Sequence, residues 1–215
     1  MKPLPYRSDD QSSLTPRKGR AIGLFGGSFN PAHAGHLHVA TTALERLGLH
    51  EVWWMVSPQN PLKPTQPSYD SRVQTVMDLG LPPHMKIAHL ERDYGTQYTV
   101  DLIRRARTHM PDTRFVFLMG ADNFSQLPRW KGWREIIETV PIAIIARPTK
   151  SGTPHFRARL GAASQIYHSA RIKEEAAAIL SWQSAPAWTY ITSPLNRLSS
   201  TQIRAAQKLG NAEKS

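Results

Sequence analysis

Apolar residues recur along this chain in short blocks separated by longer amphipathic stretches. Ala21-Ile22-Gly23-Leu24-Phe25, Glu51-Val52-Trp53-Trp54-Met55-Val56, Met85 to His89, Arg114-Phe115-Val116-Phe117-Leu118-Met119 and Ile142-Ala143-Ile144-Ile145-Ala146 read as strands. Trp188 to Ile191 reads as a short last one. Between the first two blocks, Leu37, Ala40, Thr41, Leu44 and Leu47 fall on one helical face, and Gly48 ends that helix. Tyr69 to Leu79, Thr99 to His109, Trp130 to Glu138 and Ser200 to Leu209 have helical spacing as well. Pro58, Pro61, Pro64 and Pro67 mark a long loop, and Arg147 to Ala187 reads as helical and polar with boundaries that the pattern does not define. Such alternation predicts an α/β domain with a parallel sheet and crossover helices. No repeat or second domain interrupts it, so residues 20–210 are expected to form one domain. Residues 1–19 contain Asp9, Asp10, Pro3, Pro5 and Pro16 without an apolar core, and are expected to be a mobile N-terminal tail.

The connection after the first strand carries the most chemistry. Gly26-Gly27-Ser28-Phe29-Asn30-Pro31-Ala32-His33-Ala34-Gly35-His36-Leu37-His38 places two glycines and two spaced histidines where an α/β sheet exposes backbone N–H groups and a helix N-terminus to an anion. Glycine lets the backbone approach a phosphate without Cβ interference. Histidine adds a donor that is neutral or cationic near pH 7. A P-loop and a G-x-G-x-x-G fingerprint are both absent. A tight turn beside ordinary surface histidines is the plain alternative. Zinc ligation by His33 and His36 is a sharper one, but no cysteine and no nearby carboxylate motif accompany them.

Bulk properties change this picture little. A length of 215 residues suits one domain with a sizeable core. Zero cysteines fit a reducing compartment, and no apolar run reaches the ~18 residues a membrane span requires. A cytoplasmic protein without a membrane partner is expected. The net charge of +11 is spread along the chain, with groupings at Arg104-Arg105-Arg107, Arg129-Lys131-Arg134 and Arg157-Arg159. A solvated basic face or steering of polyanionic nucleotides explains it, and no nucleic-acid-binding signature accompanies it.

Gly26 to His36 resembles the first signature of the H-x-G-H nucleotidyltransferase superfamily. About 160 residues later, Leu198-Ser199-Ser200-Thr201-Gln202-Ile203-Arg204 resembles the I-S-S/A-T-x-I-R element of bacterial nicotinate-nucleotide adenylyltransferases. Gln97-Tyr98-Thr99, Met119-Gly120-Ala121-Asp122-Asn123 and Leu127-Pro128-Arg129-Trp130 are similar to stretches of the same family. The resemblance covers about residues 20 to 210 and implies a Rossmann-like parallel sheet flanked by helices. It also implies a reaction: adenylyl transfer from ATP to nicotinate mononucleotide, giving nicotinate adenine dinucleotide and pyrophosphate in NAD biosynthesis. ATP and nicotinate mononucleotide are the partners it implies, with no nucleic acid.

Residue roles follow from that resemblance. His36 is expected to donate to the α-phosphate and His33 to hold the β- or γ-phosphate, with Arg204 as the third catalytic group. Gly26, Gly27, Ser28 and Phe29 would cradle ATP, with Asp122, Ser200 and Thr201 completing its site. Asn30, Tyr98, Thr99, Trp130 and Lys131, the last through its backbone N–H, are expected to face nicotinate mononucleotide, and Lys63 in the proline loop to reach its phosphate, with a solvated lysine as the alternative. Mg²⁺ would arrive with ATP on mostly water ligands, so no dedicated protein metal site is expected. His38 reads as a surface residue. Helix capping alone remains open for Asp122 and for Ser199 to Thr201, and core packing for Trp130. Two departures stand out: Asn30 occupies a place where the family most often has Asp, and Leu62 one often held by His. Phosphopantetheine adenylyltransferases share the histidine loop, but without the Tyr98-Thr99 and Trp130 stretches in this order. A class I aminoacyl-tRNA synthetase fragment should carry a K-M-S-K-S-like loop, and a non-enzymatic basic module would leave both signatures idle.

Overall fold

In a computed structural model, residues 18–58, 66–146, 158 and 161–192 are described. Lys63, Leu62, Ser199, Ser200, Thr201 and Arg204 lie outside them, as do residues 1–17 of the expected tail and the expected helix from Ser200 to Leu209. Seven strands are described: β1 (Ala21–Gly27), β2 (Glu51–Val56), β3 (Met85–Ile87), β4 (Arg114–Gly120), β5 (Ile142–Ile145), β6 (Arg171–Ile172) and β7 (Trp188–Ile191). They form one sheet in the order β3-β2-β1-β4-β5-β7-β6, with every pairing parallel.

The sheet is apolar on both faces because both are covered. Along β4, Phe115, Phe117 and Met119 enter one core, whereas Val116 and Leu118 enter the other. This period-two alternation hides a continuous apolar run, as expected of a parallel strand buried on both sides. Helices α1 (Ala34–Arg46) and α2 (Tyr69–Met77) contribute Val39, Ala40, Ala43, Val73 and Val76 to the second core. Helix α3 (Leu90–Asp93) supplies Leu90 to the first core, and α4 (Thr99–His109) adds Val100, Leu102, Ile103 and Ala106 to it. Central strand β1 pairs with β2 on one side and β4 on the other. The chain reverses its direction of strand addition there, and ligands of open α/β sheets bind at the carboxyl ends of strands flanking such a switch.

Four expectations need correction. Helix α1 starts at Ala34 rather than near Leu37, because His33 caps it. The expected helix from Trp130 to Glu138 is divided. A 3₁₀ turn spans Leu127–Arg129, Gly132 takes a left-handed φ of 63°, and α6 (Trp133–Thr139) begins after it. Trp130 therefore lies in extended backbone rather than in a helix. Asp122 is no N-cap: Gly120 caps α5 (Ala121–Gln126), leaving Asp122 in its first turn, where a carboxylate complements the helix dipole. Within Arg147 to Ala187, the described residues include the expected helical turns, an α-helix at Ala162–Ile166 and a 3₁₀ segment at Glu174–Trp182, but also strand β6. A two-residue strand is too short to produce any periodicity.

Candidate active site

The glycine and histidine connection runs from the carboxyl end of β1 into α1, at the switch between β2 and β4. A Cβ added to Gly27 would lie 2.9 Å from the Phe29 ring, so the turn closes only over glycine. Phe29 itself has a φ of 41° and is buried. Its ring packs on Phe25 (5.4 Å between centroids), Trp54 (5.1 Å) and His36 (5.2 Å). The loop thus inverts a large aromatic residue into the core and sets the His36 ring on top of it.

His33 and His36 form a reciprocal cap. The Gly35 N–H donates to His33 Nδ1 at 3.0 Å, and the His33 N–H donates to His36 Nδ1 at 3.3 Å. Two N–H groups that every helix start leaves without intrahelical acceptors are satisfied in this way. The arrangement has a chemical consequence. A ring nitrogen that accepts an N–H bears no proton, so each neutral imidazole carries its proton on Nε2. Both rings, 3.9 Å apart at their centroids, are therefore held as Nε2–H donors at a helix N-terminus. That set can stabilise phosphate oxygens. His38, expected at the surface, is half-buried on α1.

Asp122 follows Gly120-Ala121 at the carboxyl end of β4, the strand adjacent to β1, and so shares this edge of the sheet with the glycine and histidine connection. Phe117 of β4 links the loop to the second group of expected residues. Its ring lies 3.6 Å from where a Cβ of Gly26 would be and 6.4 Å, centroid to centroid, from half-buried Trp130. Lys131 Nζ sits 4.2 Å over the exposed Tyr98 ring and 3.7 Å from Asp101. Thr99 begins α4 beside Tyr98. A cavity of about 490 Å³ opens here, lined among others by Thr96, Gln97, Tyr98, Arg104, Arg105 and Lys131. Among its described lining residues, Arg104, Arg105 and Lys131 face one carboxylate, Asp101, although Arg104 also engages Glu135 at 2.7 Å. Gly26, Gly27, Ser28, Phe29, Asn30, His33, His36 and Asp122 thus follow the carboxyl ends of adjacent strands β1 and β4, whereas Tyr98 and Lys131 line the cavity and Thr99 starts the helix beside it. Among the described residues, no group of three or more His, Cys, Asp or Glu could hold a metal ion.

The sequence pattern missed Arg72, Thr75 and Glu91. Arg72 is buried on α2 and hydrogen-bonded to four backbone carbonyls, and Thr75 accepts the Ala32 N–H at 3.0 Å. The available signal was an arginine one residue before Val73 and four before Val76, on the buried stripe of its helix. Glu91 is buried near Arg72, and its Oε2 has no hydrogen-bond partner among the described residues. Burial pushes its carboxyl up from 4.5 to about 7, against the pull of Arg72. A proton held more tightly in the native state means that stability is complete below about pH 4.5 and is lost as pH rises through 7. Relative to Glu91→Gln, the wild type should fall behind by under about 1 kcal/mol at pH 5 and by about 3 kcal/mol at pH 8. Urea unfolding of both proteins at the two pH values measures the gap. A gap that stays constant with pH would contradict a native-state proton on Glu91.

Comparison with known proteins agrees with this geometry. A family model described as cytidylyltransferase-like matches residues 24–206. A "Probable nicotinate-nucleotide adenylyltransferase" of Ruegeria pomeroyi is 46% identical over 191 residues, covering 88% of each chain. A protein of the same description from Caulobacter sp. is 45% identical over 192 residues, covering 88% of this chain and 99% of its own. The solved structure of Plasmodium falciparum nicotinic acid mononucleotide adenylyltransferase complexed with NaAD superposes with a TM-score of 0.63 at 17% identity. That superposition covers 86% of this chain and 83% of the other, and supports the fold. On the near-full-length identity to its bacterial relatives, the chain belongs to the nicotinate-nucleotide adenylyltransferase family, on a Rossmann-like nucleotidyltransferase fold.

Proposed function

We propose that this enzyme transfers the adenylyl group of ATP to nicotinate mononucleotide. A 5′-phosphate oxygen of the mononucleotide attacks the α-phosphorus of ATP, and the bond from that phosphorus to the oxygen bridging the β-phosphate breaks. Nicotinate adenine dinucleotide and pyrophosphate are the products. The observation that carries this reading is the His33–His36 cap at the β1 switch point, whose two bonded Nδ1 atoms leave Nε2 as the donor of each neutral ring.

Charge develops on non-bridging oxygens during the transfer, so the protein's work is alignment and electrostatic stabilisation rather than covalent catalysis. His36 would donate to the α-phosphate and His33 to the β- or γ-phosphate, with the Gly26 to Phe29 backbone around them. Arg204, Ser200 and Thr201 would close the triphosphate site. Tyr98, Thr99, Trp130 and Lys131 would take the nicotinate end, where the surplus of cations favours a pyridine carboxylate over its amide. Asn30 and Lys63 are assigned to the same nucleotide. Mg²⁺ bound to the triphosphate would neutralise part of its charge. Magnesium keeps several waters and takes one or two carboxylates, and Asp122 at this sheet edge would be in reach of the hydrated ion or of ribose hydroxyls. The family match over 24–206 supports one nucleotidyltransferase domain at 20–210. Use of ATP fits the expected cytoplasmic location.

Pyrophosphate release, assayed with ATP plus nicotinate mononucleotide, nicotinamide mononucleotide or phosphopantetheine, tests the reading. Release is expected to be fastest with the nicotinate form. Faster release with phosphopantetheine, or none with any acceptor from a folded protein, would sink it.

A further inference from the structure

Arg72 is 1% exposed, which is costly for a permanent cation unless its donors are satisfied. They are satisfied in an unusual way. Nη1 donates to the carbonyls of Ser28 (2.9 Å) and Ser57 (2.7 Å), Nη2 to Pro58 (2.8 Å), and Nε to Pro67 (3.2 Å). Ser28 belongs to the phosphate loop, while Ser57, Pro58 and Pro67 lie at the two ends of the β2–α2 connection. One turn further along α2, Thr75 Oγ1 accepts the Ala32 N–H at 3.0 Å and donates to the Arg72 carbonyl at 2.8 Å. Two side chains of one helix thus grip the phosphate loop on either side of Phe29, Asn30 and Pro31. An apolar residue would fill the same space without burying a charge. The planar guanidinium fork adds simultaneous, directional bonds to separate segments.

We propose that α2 positions the phosphate loop for the transfer reaction, with Arg72 as the principal positioning residue and Thr75 as the second. This rests on the adenylyl-transfer reading, because the loop matters to rate through the donors that it aims. Ser28 and the His33–His36 cap sit on one short segment. A shift of the Ser28 carbonyl moves the donors away from the developing charge, whereas looser ground-state binding of ATP tolerates it. Arg72 is buried and donates to backbone carbonyls, so it acts through the loop backbone.

Lysine at this position keeps the charge but loses the fork. Arg72→Lys should remain folded, lower kcat by about a hundredfold and leave KM for ATP within about threefold. Amide hydrogen exchange followed by mass spectrometry should rise at residues 26–33 while β4 and β5 keep their protection. Thr75→Val should show the same pattern with about a tenfold loss of kcat. A folded Arg72→Lys enzyme with kcat within about threefold of wild type overturns the proposal, as does exchange that rises throughout the sheet or not at all in the loop. If Arg72→Lys does not fold, Thr75→Val is read by the same criteria. If the wild type releases no pyrophosphate from ATP and nicotinate mononucleotide, the functional reading fails, and the exchange measurement alone decides whether α2 holds the loop.

Discussion

His36→Ala is expected to lower kcat by about a hundred- to a thousandfold, equivalent to about 3–4 kcal/mol of transition-state stabilisation for one preorganised donor. Stability should change far less, because the half-buried ring contributes one reciprocal capping bond that its own Nδ1 accepts at 3.3 Å. Replacing a cap costs about 1 kcal/mol. His36→Asn sharpens the test by restoring a side-chain amide without an imidazole Nε2–H. If donation from Nε2 drives the transfer, both variants should be slow while their urea midpoints stay near wild type. Steady-state kinetics beside urea unfolding reads both quantities, and near-normal turnover in His36→Ala would refute the role.

Phe29→Ala should produce the largest stability loss outside the strands, about 3–5 kcal/mol by urea unfolding. The side chain is almost fully buried, and it fills the angle between Phe25, Trp54 and His36. Truncation leaves a cavity under the His36 ring, and alanine at a φ of 41° recovers none of the backbone strain. Turnover should therefore fall together with stability, unlike in His36→Ala, where the two separate. Phe29→Leu keeps apolar volume and should lose less of both. A Phe29→Ala loss below about 1 kcal/mol would show that the loop is not anchored through this ring.

The fold was largely legible because its strands are apolar runs interrupted by amphipathic stretches. The strands at Glu51 to Val56 and Trp188 to Ile191, and the helix from Thr99 to His109, match their predicted ranges. The failures have local causes. Gly132 adopts a left-handed conformation, which ends the helical pattern around Trp130. Strand β6 has only two residues and is recruited by pairing with β7.

The candidate site divides in the same manner. His33 and His36 are three residues apart, so one helical turn brings them together, and their type and spacing are visible in the chain. Arg72 was not legible, because it bonds to backbone carbonyls 14, 15 and 44 residues away as well as to Pro67. Any residue supplies a carbonyl, so such a partner leaves no mark on composition or periodicity. Glu91 was equally silent, since burial by distant segments raises its pKa.

By itself the sequence determined the alternating strand and helix pattern, the glycine turn, and the histidine pair at a helix start. These depend on side-chain type at short separations, where backbone geometry alone brings groups into contact. Tertiary structure decided the strand order, which places β1 between β2 and β4, and the inversion of Phe29 beneath His36. It also decided the grip of α2 on the loop and the burial that pushes the Glu91 carboxyl up. Those features depend on burial and on contacts between distant segments, which exist only once the chain has closed its core.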